Sequence, residues 1–217
     1  MDKTIRVTGT GKLSLKPDTI RLAITLRETH ESYTAALEES AMAAGRLQAA
    51  FSALGFEKED LKTLTFAVSS RYDNEPDDKG VYRQKLKGFE YDYRMYLEFP
   101  RDNERLGQVL TAMLTSGVAV EFSLNYTVRD PEPARTELLQ RAVRDSKKKA
   151  EGLAAAAGVE LGQLMEIDYG WQDKVFRTEI MQSSRAVGAA AFSGFQPELE
   201  AADIELEESV RAVWSIL

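Results

Sequence analysis

The sequence predicts an α+β fold: a largely antiparallel sheet with helices packed on one face, containing a βαββαβ-ordered unit. Three observations carry this. Several segments alternate apolar and polar residues with period two, which places every apolar side chain on one face of a strand. Three other stretches repeat apolar residues every three to four positions, which gives a helix one apolar stripe. The connections mix polar loops, which make antiparallel hairpins, with helices.

The elements follow in order. Ile5 to Leu15 is apolar in alternation but carries Gly9 and Gly11, and it predicts a short strand with a bend or bulge. Pro17-Asp18 marks a turn. Ile20, Leu22, Ile24 and Leu26 then alternate with polar neighbours as a half-buried strand. Tyr33, Leu37, Ser40, Ala44, Leu47, Phe51 and Leu54 line one side of a helix. Gly55 closes it, and Phe56 is placed to fold back on the last turn. Leu64, Phe66, Val68, Ser70 and Tyr72 alternate as a strand, and a polar loop with Pro76 leads to a longer one. In that strand Phe89, Tyr91, Tyr93, Met95, Leu97 and Phe99 face away from Glu90, Asp92, Arg94 and Glu98. The two predict an antiparallel pair.

Asp102 caps a second helix carrying Leu106, Val109, Leu110 and Met113, ended by Gly117. A strand runs from Val118 to Val128. Asp130-Pro131 starts a third helix, with a stripe expected at Leu139, Val143, Ser146, Ala150, Leu153 and Ala157 and an end at Gly158. A strand follows near Gln163 to Trp171. About 173–202 the pattern dissolves into a poorly patterned loop. Ile204 to Ile216 reads as a last strand, interrupted at Glu208. The whole, 1–217, is expected to be a single domain.

Composition excludes several classes. The 217 residues carry a net charge of −7, which opposes general binding to nucleic acid. There is no cysteine, hence no disulfide, thiol nucleophile or cysteine metal site. No apolar run approaches the ~20 residues of a membrane-spanning helix. The N-terminus, Met1-Asp2-Lys3-Thr4-Ile5-Arg6-Val7, shows no apolar signal core. As it stands the chain reads as cytoplasmic; the mature form of an exported envelope protein is the alternative.

Particular residues resemble a known family. Ile5-Arg6-Val7-Thr8-Gly9-Thr10-Gly11 followed by Lys16-Pro17-Asp18-Thr19 resembles the opening signature of the SIMPL domain. Leu61-Lys62-Thr63, the strand end Arg71-Tyr72-Asp73 and Gly88-Phe89-Glu90-Tyr91 are similar to its middle blocks. Ala142 to Ala154, then Gly158 and Leu161-Gly162, resemble its third-helix block, with Ser146 standing where alanine is expected. Ile204-Glu205-Leu206 to Val210 resembles its last strand, though Ala201-Ala202 replaces the usual proline-glycine. The resemblance covers nearly the whole chain outside 173–202. It implies bacterial relatives, many exported and associated with stress responses or antigenicity, and homo-oligomeric, ring-like assembly. It brings no catalytic, cofactor or metal residues, and none is assigned.

Each feature that invites chemistry has a plainer reading. Gly9-Thr10-Gly11-Lys12 lacks the full phosphate-loop spacing, and no helix follows it. His30 is the single histidine, too few for a triad or a zinc site. Asp18 fits a turn in which its carboxylate accepts backbone amides better than it fits a general acid. Lys147, Lys148 and Lys149 point about 100° apart on a helix and read as a solvated face. Tyr72, Tyr82, Tyr91, Tyr93 and Tyr96 lie among Arg71, Arg83, Lys85, Lys87 and Arg94. Glu90, Asp92 and Glu98 offset those cations, so sheet packing or a subunit contact is favoured over base stacking.

The leading expectation is a non-enzymatic, self-associating protein, a homo-oligomer using no cofactor. Its contacts are expected on the hairpin of Leu61 to Phe99 and on the terminal strand, because long strand edges must be paired, covered or charged. A module for a small apolar ligand or lipid, with Val187 to Phe195 as a lid, is the second. A carboxylate-dependent hydrolase using Asp18 is the third. The sequence names no small-molecule ligand.

Overall fold

The computed structural model describes residues 3–76, 81–170, 177–183 and 200–217. Its strands are β1 (Thr4–Leu15), β2 (Thr19–His30), β3 (Leu61–Pro76), β4 (Tyr82–Pro100), β5 (Glu121–Thr127), β6 (Leu161–Asp168), β7 (Arg177–Ser183) and β8 (Ile204–Ile216). Helices α1 (Tyr33–Ser52), α2 (Asn103–Thr115) and α3 (Glu132–Ala157) alternate with them, and a short 3-10 turn covers Lys58–Asp60. The predicted α+β class with antiparallel sheets is what forms. The chain divides into two compact units. One holds Met1–Pro17, Thr127–Thr178 and Ala201–Leu217; the other holds Asp18–Tyr126 and Glu179–Glu200.

The first unit is a three-stranded sheet, β1-β8-β6, under α3. β1 pairs with β8 along its whole length, from Thr4 opposite Ser215 to Leu15 opposite Ile204, without a register shift. Two expectations are therefore corrected: Gly9 and Gly11 make no bulge, and Glu208 does not interrupt β8. The glycines serve close packing instead. A Cβ at Gly9 would lie 2.0 Å from the Ala142 carbonyl, and one at Gly11 would lie 2.1 Å from the Leu138 carbonyl. α3 therefore rests on bare strand backbone, and its buried face is the small stripe Ala134, Leu138, Ala142, Ser146, Ala150 and Ala154. Of the expected stripe, Ser146 and Ala150 are buried, whereas Leu139 and Val143 are only partly covered and Leu153 and Ala157 are exposed. Ser146, fully buried, satisfies its hydroxyl on the Val143 carbonyl at 2.8 Å.

The second unit is a sheet in the order β3-β4-β2-β5-β7. β4 pairs antiparallel with β2 and with β3. α1 starts at Ser32, whose hydroxyl accepts the Ala35 amide, and buries Ala36, Ser40, Ala43, Leu47 and Phe51. Past Gly55, at φ +85°, the Phe56 amide returns to the Phe51 carbonyl, as the sequence predicts. Asp102 caps α2 through the Glu104 and Arg105 amides. Beneath the helices lie Ile20, Leu22, Ile24, Leu26, Tyr91, Met95, Leu97 and Phe99. The opposite face carries Arg27 and Arg94 on Asp92, and Arg21 beside Glu98 at 3.4 Å. β7 lies inside the segment read as a loop. Its adjacent Ile180 and Met181 give no period-two signal, so sequence pattern could not find it. Val187 to Phe195, the expected lid, lies outside the described residues.

Candidate functional site

Two features of the second unit stand apart from its core. The first is a cleft of about 830 Å³ beside α1. α1 packs over β2 and β4, and β3 lies beyond its flank. One wall is the small-residue side of α1, with Ala41, Ala44 and Gly45; the floor is Phe66, Tyr93 and Met95. The register explains the floor: Phe66 lies opposite Tyr93 and Thr63 opposite Met95 on the helix-facing side. The Phe66 and Tyr93 rings meet edge to face at 5.0 Å. The polar groups of the lining are largely satisfied within it. Thr63 and Tyr93 share a hydroxyl hydrogen bond at 3.2 Å, Ser40 donates to the Leu37 carbonyl, and Gln48 donates to Ser52. Lys58, on the 3-10 turn, also lines the cleft and has no ion pair among the described residues.

The second feature is the outer half of the β3–β4 hairpin. β2 accompanies β4 only as far as the His30–Phe89 pair. Beyond it, Tyr72–Pro76 and Tyr82–Leu86 form a two-stranded ribbon. Gly88 makes the step: its φ is +147°, and a Cβ there would lie 2.1 Å from the His30 carbonyl. Lys85 and Lys87 both pair with Glu75, and Arg71 reaches Asp73 and Glu90.

Strand edges are treated unequally. Along β1, three α3 side chains one turn apart take up the outward backbone groups. Arg141 donates to the Lys12 carbonyl at 2.8 Å, Asp145 accepts the Thr10 amide at 2.7 Å, and Lys149 donates to the Thr8 carbonyl at 2.9 Å. Lys149, 2.7 Å from Asp145, together with the Thr10 amide, holds the Asp145 carboxyl below the ordinary carboxylate range. The solvated-face reading of the lysine run is corrected for Lys149; Lys147 pairs with Glu151 on the helix surface. The terminal strand β8 has β1 along its whole length on one side and β6 against Arg211–Ile216 on the other, so that stretch is interior and is corrected as an assembly edge. β3 remains an open edge of the described sheet.

The weighed residues are scattered. Gly9 to Lys12 belong to β1 in the first unit, while Asp18 and His30 belong to the second. Asp18 accepts the Thr19 hydroxyl at 2.8 Å, and its carbonyl accepts the Arg101 amide. His30 stacks on Tyr91 at 5.8 Å, and its Nε2 lies 3.8 Å from Glu28. Burial, then the Glu28 carboxylate, pushes the Tyr91 phenol up to about 12. The tyrosines divide: Tyr91 is buried, Tyr93 floors the cleft, Tyr96 lies under Arg21, and Tyr72 and Tyr82 are exposed on the ribbon. No group of three metal-ligating side chains occurs among the described residues. The cleft was missed because its parts, a helix flank of small residues and a strand face, read separately as ordinary amphipathic surface.

The chain is 29% identical over 164 residues to the 26 kDa periplasmic immunogenic protein of Brucella melitensis, and equally to that of Brucella abortus strain S19. Each alignment covers 75% of this chain and 65% of the relative's length. Residues 5–214 match the profile of SIMPL, described as a protein of unknown function (DUF541). With that match spanning the β1–β8 frame and the hairpin alike, the chain belongs to the SIMPL family.

Proposed function

We propose that this chain is a non-enzymatic protein that works as a homo-oligomer, associating through the outer ribbon of the β3–β4 hairpin. One observation carries the reading. The ribbon has strands on neither side among the described residues, yet it exposes Tyr72 by 53%, Leu86 by 47% and Tyr82 by 71%. An isolated two-stranded ribbon is marginal in water, and clustered exposed apolar side chains mark association surfaces. The open β3 edge next to it, where Thr65 to Arg71 pair without a register shift, supplies backbone partners. Export to the bacterial envelope is part of the proposal, supported by the periplasmic label of the Brucella relatives. A link to stress physiology is supported by the family resemblance. Multi-angle light scattering tests the assembly. The wild type is expected to exceed the 24.2 kDa of one chain, and Tyr82→Lys with Leu86→Lys to return it to that mass. A strict monomer at high micromolar concentration would remove the proposal.

A further inference from the structure

We infer that the cleft between α1 and β3 binds a fatty acid: an amphiphile with one carboxylate and an unbranched alkyl chain. This does not depend on self-association.

The volume of about 830 Å³ lies within the range of small-molecule sites, which are concave, mostly apolar and furnished with a few polar groups. Ala41, Ala44, Phe66 and Met95 offer an apolar surface along which a chain can lie. The hydroxyls of Ser40, Thr63 and Tyr93 are already engaged within the protein, so they do not call for a polar ligand body. Among the described residues, Lys58 is the one ionised side chain of the lining, and it has no acidic partner. Glu57, Glu59 and Asp60 are its chain neighbours but do not line the cleft, and Asp60 is held on the Glu57 amide at 2.8 Å. An apolar body with a single anionic head matches that arrangement of charge.

Gly45 is a second, independent observation. It sits inside the 20-residue α1, where glycine is less favourable than alanine by about 0.8–1.0 kcal/mol. Neither φ nor packing requires it: a Cβ there would meet nothing within 4 Å. Its helical cost has no return in the fold, but the missing side chain widens the cleft it lines. An added strand is a poorer occupant. The register shift between Thr63 and Thr65 makes Leu64 a bulge in β3 beside the cleft, and bulges interrupt the edge ladder a new strand would need.

Isothermal titration of delipidated full-length protein with dodecanoate, below its micelle concentration, tests the assignment. One site per chain is expected, with dodecyltrimethylammonium binding at least tenfold more weakly. Lys58→Gln should weaken dodecanoate by about two- to fivefold, the effect of one exposed ion pair. Gly45→Leu, which fills the cleft, should weaken it more than tenfold with the circular dichroism unchanged. A doxyl-labelled fatty acid provides a readout on the wild type alone: it should broaden the amide signals of Ala41, Ala44 and Gly45. Absence of binding, equal binding of the cationic amphiphile, or broadening confined to other residues would each overturn the assignment.

Discussion

Three glycines show how one residue type takes opposite values in one chain. Gly9 and Gly11 have α3 backbone where a side chain would begin, whereas Gly45 faces open space. Overpacking usually costs about 1–3 kcal/mol when neighbouring side chains can yield. At Gly9 the obstacle is the Ala142 carbonyl in mid-helix, so Gly9→Ala should reach at least the upper end of that range. Gly45→Ala should instead stabilise by up to about 1 kcal/mol, since only helix propensity changes, raising Tm by about 2–4 °C at this chain length. Urea unfolding of the two variants beside the wild type checks both signs. If Gly9→Ala were neutral, the direct seating of α3 on β1 would be wrong. The sequence marks Gly9 and Gly11 as unusual strand residues, but a bulge and a close approach leave the same local signal. What separates them is a helix more than a hundred residues away, which no local pattern contains.

Among elements, α3 is the most informative. Period 3.6 gave its limits nearly correctly and placed Ser146 and Ala150 inward, but it put Leu139, Val143 and Leu153 there too, because sequence reading assigns the core to the largest apolar residues. Here the partner is glycine backbone, so the small stripe is buried and Leu153 is left outside. The same helix covers the β1 edge with Arg141, Asp145 and Lys149, a device against unwanted strand pairing. Asp145 supplies a pH test. Its carboxyl titrates below its ordinary value in the fold, through Lys149 first and then the Thr10 amide. A depressed folded pKa means that this contribution is present above the unfolded value. It is lost as pH falls through the folded one. Asp145→Asn should therefore be less stable than wild type at pH 7, with the gap narrowing once the solution is more acidic than an ordinary aspartate pKa of ~3.9. Chemical denaturation at a series of pH values measures this; a gap independent of pH would mean that the ion pair contributes nothing.

At the scale of the whole molecule, the first unit is assembled from both chain ends and one internal segment, while the core strands and both helices of the second lie between them. Alternation and periodicity identified most elements in order, and the β3–β4 hairpin was legible because its strands are neighbours. The β1–β8 pairing was not, since its partners stand at opposite ends of the chain and any polar-apolar strand presents the same edge. That difference bears on assembly. β8 is paired with β1 along its whole length and α3 side chains occupy three backbone groups of the β1 edge, whereas the ribbon and the β3 edge carry no such cover among the described residues, and these are the surfaces we propose for association. Two driving forces could act there, and salt distinguishes them. Lys85 on the ribbon and Arg71 and Lys87 beside it already have acidic partners in the hairpin, while Tyr72, Tyr82 and Leu86 are uncovered. Each copy also carries a net charge of −7, so copies repel one another. Salt shortens the screening length from ~10 Å at 0.1 M toward ~3 Å at 1 M, which relieves that repulsion without weakening apolar contact. Sedimentation of the wild type should therefore show association maintained or strengthened between 0.1 and 1 M salt, whereas dissociation over that range would assign the contact to ion pairs and remove the ribbon's apolar side chains as its cause.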